Sequence, residues 1–268
     1  MIILHKFLIK LYINLKMNNK ILKKIVGVFG YKLIEKRVIK NERLLSKNSS
    51  LNINKILESI FLKNNIQNLI QIGANDGLSF DQLNFYIKKF KCRTLLVEPI
   101  KTNFLLLKKN YKEFSFINFE NCAITINDEI SHLYKVDPIY EKNYGNHITA
   151  IQSFDKNHLI NHGVKNKHII TENVDSLTVL NLIKKHDFKK LDLLFLDCEG
   201  YDGKIIFDFL STVLLRPIII FEFIHIDNVL FEKLITKLLD KEYLFFSESE
   251  NMICYPKEKK INVNLYDQ

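Results

Sequence analysis

The residues best placed to do chemistry in this 268-residue chain follow four short apolar runs. Leu69 to Ile72 leads into Gly73, Ala74, Asn75, Asp76 and Gly77; Thr94 to Val97 ends in Glu98; Leu191 to Leu196 ends in Asp197, Cys198, Glu199 and Gly200; and Pro217 to Phe223 ends near Glu222, His225 and Asp227. A glycine turn lets backbone approach a cofactor that a Cβ would exclude. An acidic side chain at the end of the second run is placed to accept hydrogen bonds from ribose hydroxyls, and carboxylates or an imidazole at the ends of later runs can take a proton. The turn reads GANDG, without the middle glycine of GxGxxG and with Asp76 where a pyrophosphate would be repelled. A cationic, phosphate-free cofactor fits it better than a dinucleotide.

Positioning these groups along one edge requires a parallel sheet, and the pattern from Leu51 onward predicts one. Asn52 or Asn54 can cap a helix carrying Ile56, Leu57, Ile60 and Phe61. A second helix follows Ser79, with Leu83, Tyr86, Ile87 and Phe90 at spacings of three and four, and a third runs from Asn103 to Tyr111. Ser115 to Phe119, or instead Cys122 to Ile124, supplies the third strand. Between Thr125 and Lys190 the alternation loosens into an insertion, where Asp175 or Ser176 is the expected cap of another helix. The pattern then resumes with strand Leu191 to Asp197, a helix through Ile205, Ile206, Phe209 and Leu210, strand Pro217 to Phe223, helix Val229 to Leu239, and strands Tyr243 to Phe246 and Met252 to Tyr255. Strands alternating with helices at this spacing predict an α/β domain over 51–268.

Charge is distributed unevenly. Residues 1–50 hold twelve Lys or Arg against Glu35 and Glu42, a balance of +10 in a chain of net charge +9, so the body is near neutral. That argues against a nucleic-acid groove and for a separate basic N-terminal segment. Lys6, Lys10 and Lys16 interrupt its apolar residues too often for a membrane span or a secretory signal. A basic amphipathic helix remains, either packed on the domain or making peripheral contact with an anionic membrane through residues 1–45. Cys92, Cys122, Cys198 and Cys254 form no CxxC pair, which favours a reducing cytoplasm. No metal is expected: His147, His158, His162 and His168 occur in the irregular insertion at spacings that suit no ligand set, and they read as polar loop or acceptor-pocket residues.

Several motifs in order, IQIGANDG, LVEPIKTNFLLLKKNY, NCAI, ITAIQSFDKNHL, ENVDSLTV, LDLLFLDCEGYDGKII and IIIFEF, resemble the FkbM-type S-adenosylmethionine-dependent methyltransferases from about Leu69 to Phe223. The resemblance implies a class I methyltransferase fold, a Rossmann-like seven-stranded, mostly parallel sheet flanked by helices, with S-adenosyl-L-methionine as cofactor. Gly73, Ala74, Asn75 and Gly77 would form the cofactor loop beside Asp76. Glu98 would bind the ribose, Asn121, Cys122 and Ala123 would border the adenine, and Asp197 would sit under the methionine moiety. The family often carries an acid where this chain has Gln71, whose neutral amide would hold the methionine ammonium less strongly.

Many members methylate hydroxyls of sugars, polysaccharides or related natural products, so the expected acceptor is a small molecule or glycan. A protonated hydroxyl is a poor nucleophile, and a general base typically contributes ~10²–10⁴-fold. Glu199 is the first candidate, with His225 and Glu222 also in position. The alternative is a non-catalytic, methyltransferase-like binding module that its basic tail recruits to membranes. For the tail, the expectation is that deleting residues 1–45 leaves the domain folded and abolishes co-sedimentation with anionic vesicles. Equal sedimentation of the truncated and full chains would refute the membrane contact.

Overall fold

The computed structural model describes residues 52–127, 131–145, 148 and 151–259. The expected basic amphipathic segment lies outside the described residues. Helix α1 (Ile53–Asn64) begins where Asn52 Oδ1 accepts from the Lys55 N–H at 3.1 Å and ends at Asn65, whose φ of +48° stops the helical path. It buries Ile56, Leu57, Ile60 and Phe61, the face read from their spacing. There follow β1 (Asn68–Ile72), α2 (Asn84–Phe90), β2 (Arg93–Val97), α3 (Lys101–Asn110), β3 (Ile117–Glu120), β4 (Ala123–Ile124) and β5 (Ser131–Val136). The second half holds α4 (Lys156–Asn161), β6 (Ile169–Val174), β7 (Ser176–Leu177), α5 (Val179–Lys185), β8 (Leu193–Leu196), α6 (Asp202–Thr212), β9 (Ile218–Glu222), α7 (Asn228–Asp240), β10 (Tyr243–Glu248) and β11 (Asn251–Pro256).

Seven strands form one sheet in the order β10-β11-β9-β8-β1-β2-β3, and only β11 runs antiparallel to its neighbours. Central strand β1 pairs with β2 on one side and β8 on the other, so the chain reverses its direction of travel across the sheet there. Such a switch point opens a crevice at the carboxyl ends of the strands. Period-two alternation sends Leu69 to the layer containing Ile56, Ile60, Leu83 and Leu107, and Ile70 to the layer containing Leu182, Ile206, Phe209 and Leu234. Both faces of the sheet are therefore covered, which explains the nearly continuous apolar runs of the parallel strands. Each fully buried Leu or Ile contributes roughly 1.5–3 kcal/mol, and a one-residue slip of β1 would exchange its two core sets.

The alternatives offered for the third strand are both used. Ile117–Glu120 joins the main sheet, while Ala123 and Ile124 pair in parallel with Ser176 and Leu177. This pairing corrects the expected cap of α5. Ser176 is a strand residue, and Thr178 Oγ1 accepts from the Asn181 N–H instead. The insertion is also more regular than its sequence: β5 and β6 form an antiparallel ladder from Ser131↔Val174 to Val136↔Ile169, with an ion pair between Lys135 and Glu172. A small core of Val136, Ile148, Ile151, Leu159 and Val164 holds α4 against it.

Gly77 has φ +72°, and a Cβ there would stand 2.4 Å from the Tyr111 ring and 2.6 Å from Leu107 Cδ1. Overpacking of this kind costs about 1–3 kcal/mol. Gly77→Ala is expected to lose stability in that range by denaturant unfolding. An unchanged midpoint would show that the Tyr111 side gives way freely.

Candidate active site

The turn after β1 is fixed by its neighbours on both sides. The N–H groups of Gly73 and Ala74 both donate to the Val97 carbonyl at 3.0 Å. Gly73 has φ +83°, and a Cβ on it would lie 2.0 Å from the Asp197 carbonyl oxygen, so only glycine allows this approach. Asn75, at φ +48°, donates its N–H to Glu98 Oε2 at 3.0 Å, and the Ile100 N–H donates to Glu98 Oε1 at 2.8 Å. Glu98 is only 2 % exposed. Burial pushes its carboxyl up to about 7 against the effect of these two hydrogen bonds.

Gln71, Gly73, Ala74, Asn75, Glu98, Cys122, Ala123, Asp197 and Glu199 line one cavity at the switch point, as the reading of the strand ends required. Asp76, Gly77 and Asn121 are not among its lining residues. Asp76 accepts from the Leu78 and Ser79 N–H groups and from Ser79 Oγ, so its carboxylate closes its own loop. Gly77 makes room for Tyr111, and Asn121 Nδ2 donates to the Glu98 and Pro99 carbonyls at 2.8 and 2.9 Å. These three shape the cavity from behind.

Gln71 is buried, and its Nε2 donates to Asp81 Oδ1 at 3.2 Å while its Oε1 faces no hydrogen-bond partner among the described residues. Asp81 also accepts from the Leu83 N–H at 2.8 Å and lines the cavity. The acid missing at position 71 thus has a carboxylate ten residues later on the same amide. Sequence reasoning overlooked Asp81 because nothing in linear spacing marks a loop residue as the partner of a strand residue.

The opposite end collects further carboxylates. Burial, reinforced by the Glu199 charge, pushes Asp197 up to about 7. Asp202, which is fully buried and which the sequence reading did not single out, accepts from the Cys198 N–H with both oxygens at 3.3 Å. Burial, with Asp197 nearby, pushes it up to about 8. Glu222 is likewise raised to about 8 by burial and then by Asp197 and Glu199. Glu199 has φ +48°, its carbonyl accepts from Ser153 Oγ at 3.1 Å, and its Oε2 accepts from His158 Nε2 at 2.8 Å. His225 Nε2 stands 3.8 Å from Glu222 Oε1. Burial, and then His158, lowers the His225 imidazole.

Folding sorts the histidines of the insertion. His168 is buried, its ring stacked 3.9 Å from that of Tyr140 and its Nδ1 2.7 Å from the Tyr144 hydroxyl, which makes it a packing residue. His158 and His162 instead gather with His225, with ring centroids 4.7 and 5.9 Å from it, beside Glu199; Glu199 lines the cavity, whereas these three histidines and Glu222 are not among its lining residues. The spacing along the insertion does not record this cluster, because the third imidazole comes from beyond β9. His147 lies outside the described residues.

The sequence matches the methyltransferase FkbM domain over residues 71–245. The chain belongs to the FkbM methyltransferase family. Among solved structures it is similar to methyltransferase FkbM from Methylobacillus flagellatus KT, with 13% identity, a TM-score of 0.42, and coverage of 71% of this chain and 43% of that one. It is also similar to the METTL16 MTase domain (13% identity, TM-score 0.40, 74% of this chain and 62% of that one). A third is precorrin-6y C5,15-methyltransferase from Geobacter metallireducens GS-15 (11% identity, TM-score 0.36, 74% and 83%). The chain thus spans less than half of the Methylobacillus protein. No curated protein matches it significantly.

The cofactor of this FkbM methyltransferase is S-adenosylmethionine, and the site suits it. Gly73 lets the cavity-lining loop close onto the Asp197 carbonyl where a Cβ would clash, the Gln71 Oε1 acceptor has no partner among the described residues, and Asp81, Glu98 and Asp197 offer acceptors to hydroxyls and positive charge. When bound, the cofactor supplies a methyl group on a sulfonium. The protein's part is to hold it in line with an acceptor, and such positioning is worth up to ~7–11 kcal/mol.

The raised carboxyls make stability depend on pH in a defined direction. Glu98, Asp197 and Asp202 ionise near 4.5, 3.8 and 3.8 when unfolded but only near 7, 7 and 8 when folded. The folded state therefore binds more protons in that window, and its stability falls as pH rises through it. The thermal midpoint of the cofactor-free protein is expected to be lower at pH 8 than at pH 5.5. A flat or rising midpoint would show that these carboxyls are already ionised in the fold.

Proposed function

We propose that this methyltransferase O-methylates a hydroxyl of a sugar, polysaccharide or related precursor. The observation that carries the reading is the hydrogen-bonded His158–Glu199 pair, whose Glu199 lines the cavity together with Asp197 and stands close to Glu222 and His225. A hydroxyl acceptor needs a base at the cofactor's reactive end, and these groups provide one where solvent and a polar substrate can enter. Glu199 is the base in this reading, and His158 holds its carboxylate in place. The near-neutral body favours a small polar acceptor over a nucleic acid, whose binding would draw on many phosphate contacts. The reaction takes place in the reducing cytoplasm, with residues 1–45 lending contact to the inner membrane surface.

Methyl transfer to a panel of glycan acceptors, followed through S-adenosylhomocysteine release, tests the assignment. Glu199→Gln preserves shape and removes basicity, so it is expected to keep cofactor affinity and lose about two orders of magnitude in turnover. Near-parental turnover of this variant, with His225→Ala folded, cofactor-bound and inactive, would move the base to the end of β9. Tight calorimetric binding of S-adenosylhomocysteine with no transfer to any hydroxyl would favour a binding module instead.

A further inference from the structure

We propose that His158, His162 and His225 form a binding site for one first-row divalent transition-metal ion, zinc being the best match, beside the cavity-lining Glu199. The three side chains offer nitrogen atoms that all lie within 4.8 Å of one another. Their ring centroids are 4.6 Å apart for His158 and His162, 4.7 Å for His158 and His225, and 5.9 Å for His162 and His225. His158 is in α4 and His162 is its C-terminal cap residue, four positions on, so one turn of helix presents both imidazoles on the same side. His225 reaches them from the segment after β9, across 63 residues of chain.

The donor set selects the ion. Three imidazoles without a thiolate suit zinc and its neighbours, whereas magnesium and calcium prefer all-oxygen shells. Glu199 and Glu222 each offer a carboxylate oxygen within 4.8 Å of the His225 donor, so oxygen donors stand beside the imidazoles. Ligands about 2.0–2.1 Å from a tetrahedral ion stand a little over 3 Å apart, so the rings need only close inward. His162 and His225 are the exposed members of the three.

Three protein ligands leave one coordination position open, the arrangement of a catalytic rather than a structural site. The proposal rests on the acceptor reading above and deepens it. The acceptor hydroxyl would take the open position, where the ion makes it more acidic. Its proton passes to the Glu199 carboxylate, which becomes a carboxylic acid, and the alkoxide remains on the ion. A metal on His158 Nε2 would displace the hydrogen bond to Glu199, so in the loaded site the ion would take over the positioning that His158 gives that carboxylate in the metal-free fold.

The test is a titration of the full-length, chelator-stripped protein with Co²⁺, read by visible d–d absorption, followed by displacement with Zn²⁺. One equivalent is expected to saturate a band of nitrogen-ligated cobalt that Zn²⁺ removes. His158→Ala and His225→Ala should each weaken cobalt binding by at least about tenfold. His132→Ala, whose ring instead pairs with Asn173, should leave it unchanged. Calorimetry with S-adenosylhomocysteine on the same samples verifies the fold of each variant, and His162→Ala replaces any variant that fails it. The absence of a saturable cobalt band, or a band that survives the histidine variants, overturns the metal site. If S-adenosylhomocysteine still binds, the methyltransferase reading survives that result. Cobalt binding without any S-adenosylhomocysteine binding would sink the methyltransferase reading and leave the metal site standing.

Discussion

The backbone of Gly73 lies against the carbonyl of Asp197, closer than any side chain would permit, and the cavity depends on that approach. It ties the loop after β1 to the end of β8 while the Val97 carbonyl ties the same loop to the end of β2. Three strand ends are thereby locked at one level. Glu98 and Asp197 face a common space because their strands are held in register with β1 on either side. The apolar layers above and below the sheet make that register costly to change, since a slip would turn core residues toward the wrong face.

Concentrating carboxyl groups at the strand ends carries an electrostatic cost. Asp197 is raised by burial and then by Glu199, Asp202 and Glu222 by burial and then by Asp197, and Glu98 by burial on the far side. A buried carboxylate is tolerated when a proton or a cation compensates it. A cofactor bearing positive charge relieves the same strain that the empty fold relieves by protonation, so cofactor affinity and pH-dependent stability share one origin. The Gln71–Asp81 pair extends this logic, because the amide at the strand end leaves the negative charge to a loop residue that folding brings alongside.

The insertion completes the acceptor end. Its β5–β6 ladder and small apolar core hold α4 over the strand ends, and Ser153 fastens it to the Glu199 carbonyl. Glu199 itself occupies a left-handed backbone conformation that non-glycine residues seldom adopt, stabilised here by contacts with the insertion on both its carbonyl and its side chain. The acceptor mouth is thus built jointly by the sheet and by a segment that is least regular in sequence.

Local chain chemistry determined the sheet, its helices, the glycine turn and the placement of Glu98, Asp197 and Glu199. Apolar periodicity and glycine placement act over a few residues, and a parallel sheet turns them into a shared edge without further instruction. The family motifs likewise point to the cofactor from sequence alone. Only tertiary structure decided which loop residues face the cavity and which support it from behind, turning Asp76 into its own loop and Asn121 onto the Glu98 and Pro99 carbonyls. It alone brought Asp81 to Gln71 and gathered His158 and His162 with His225, because those partners are separated along the chain by segments whose packing no linear spacing records.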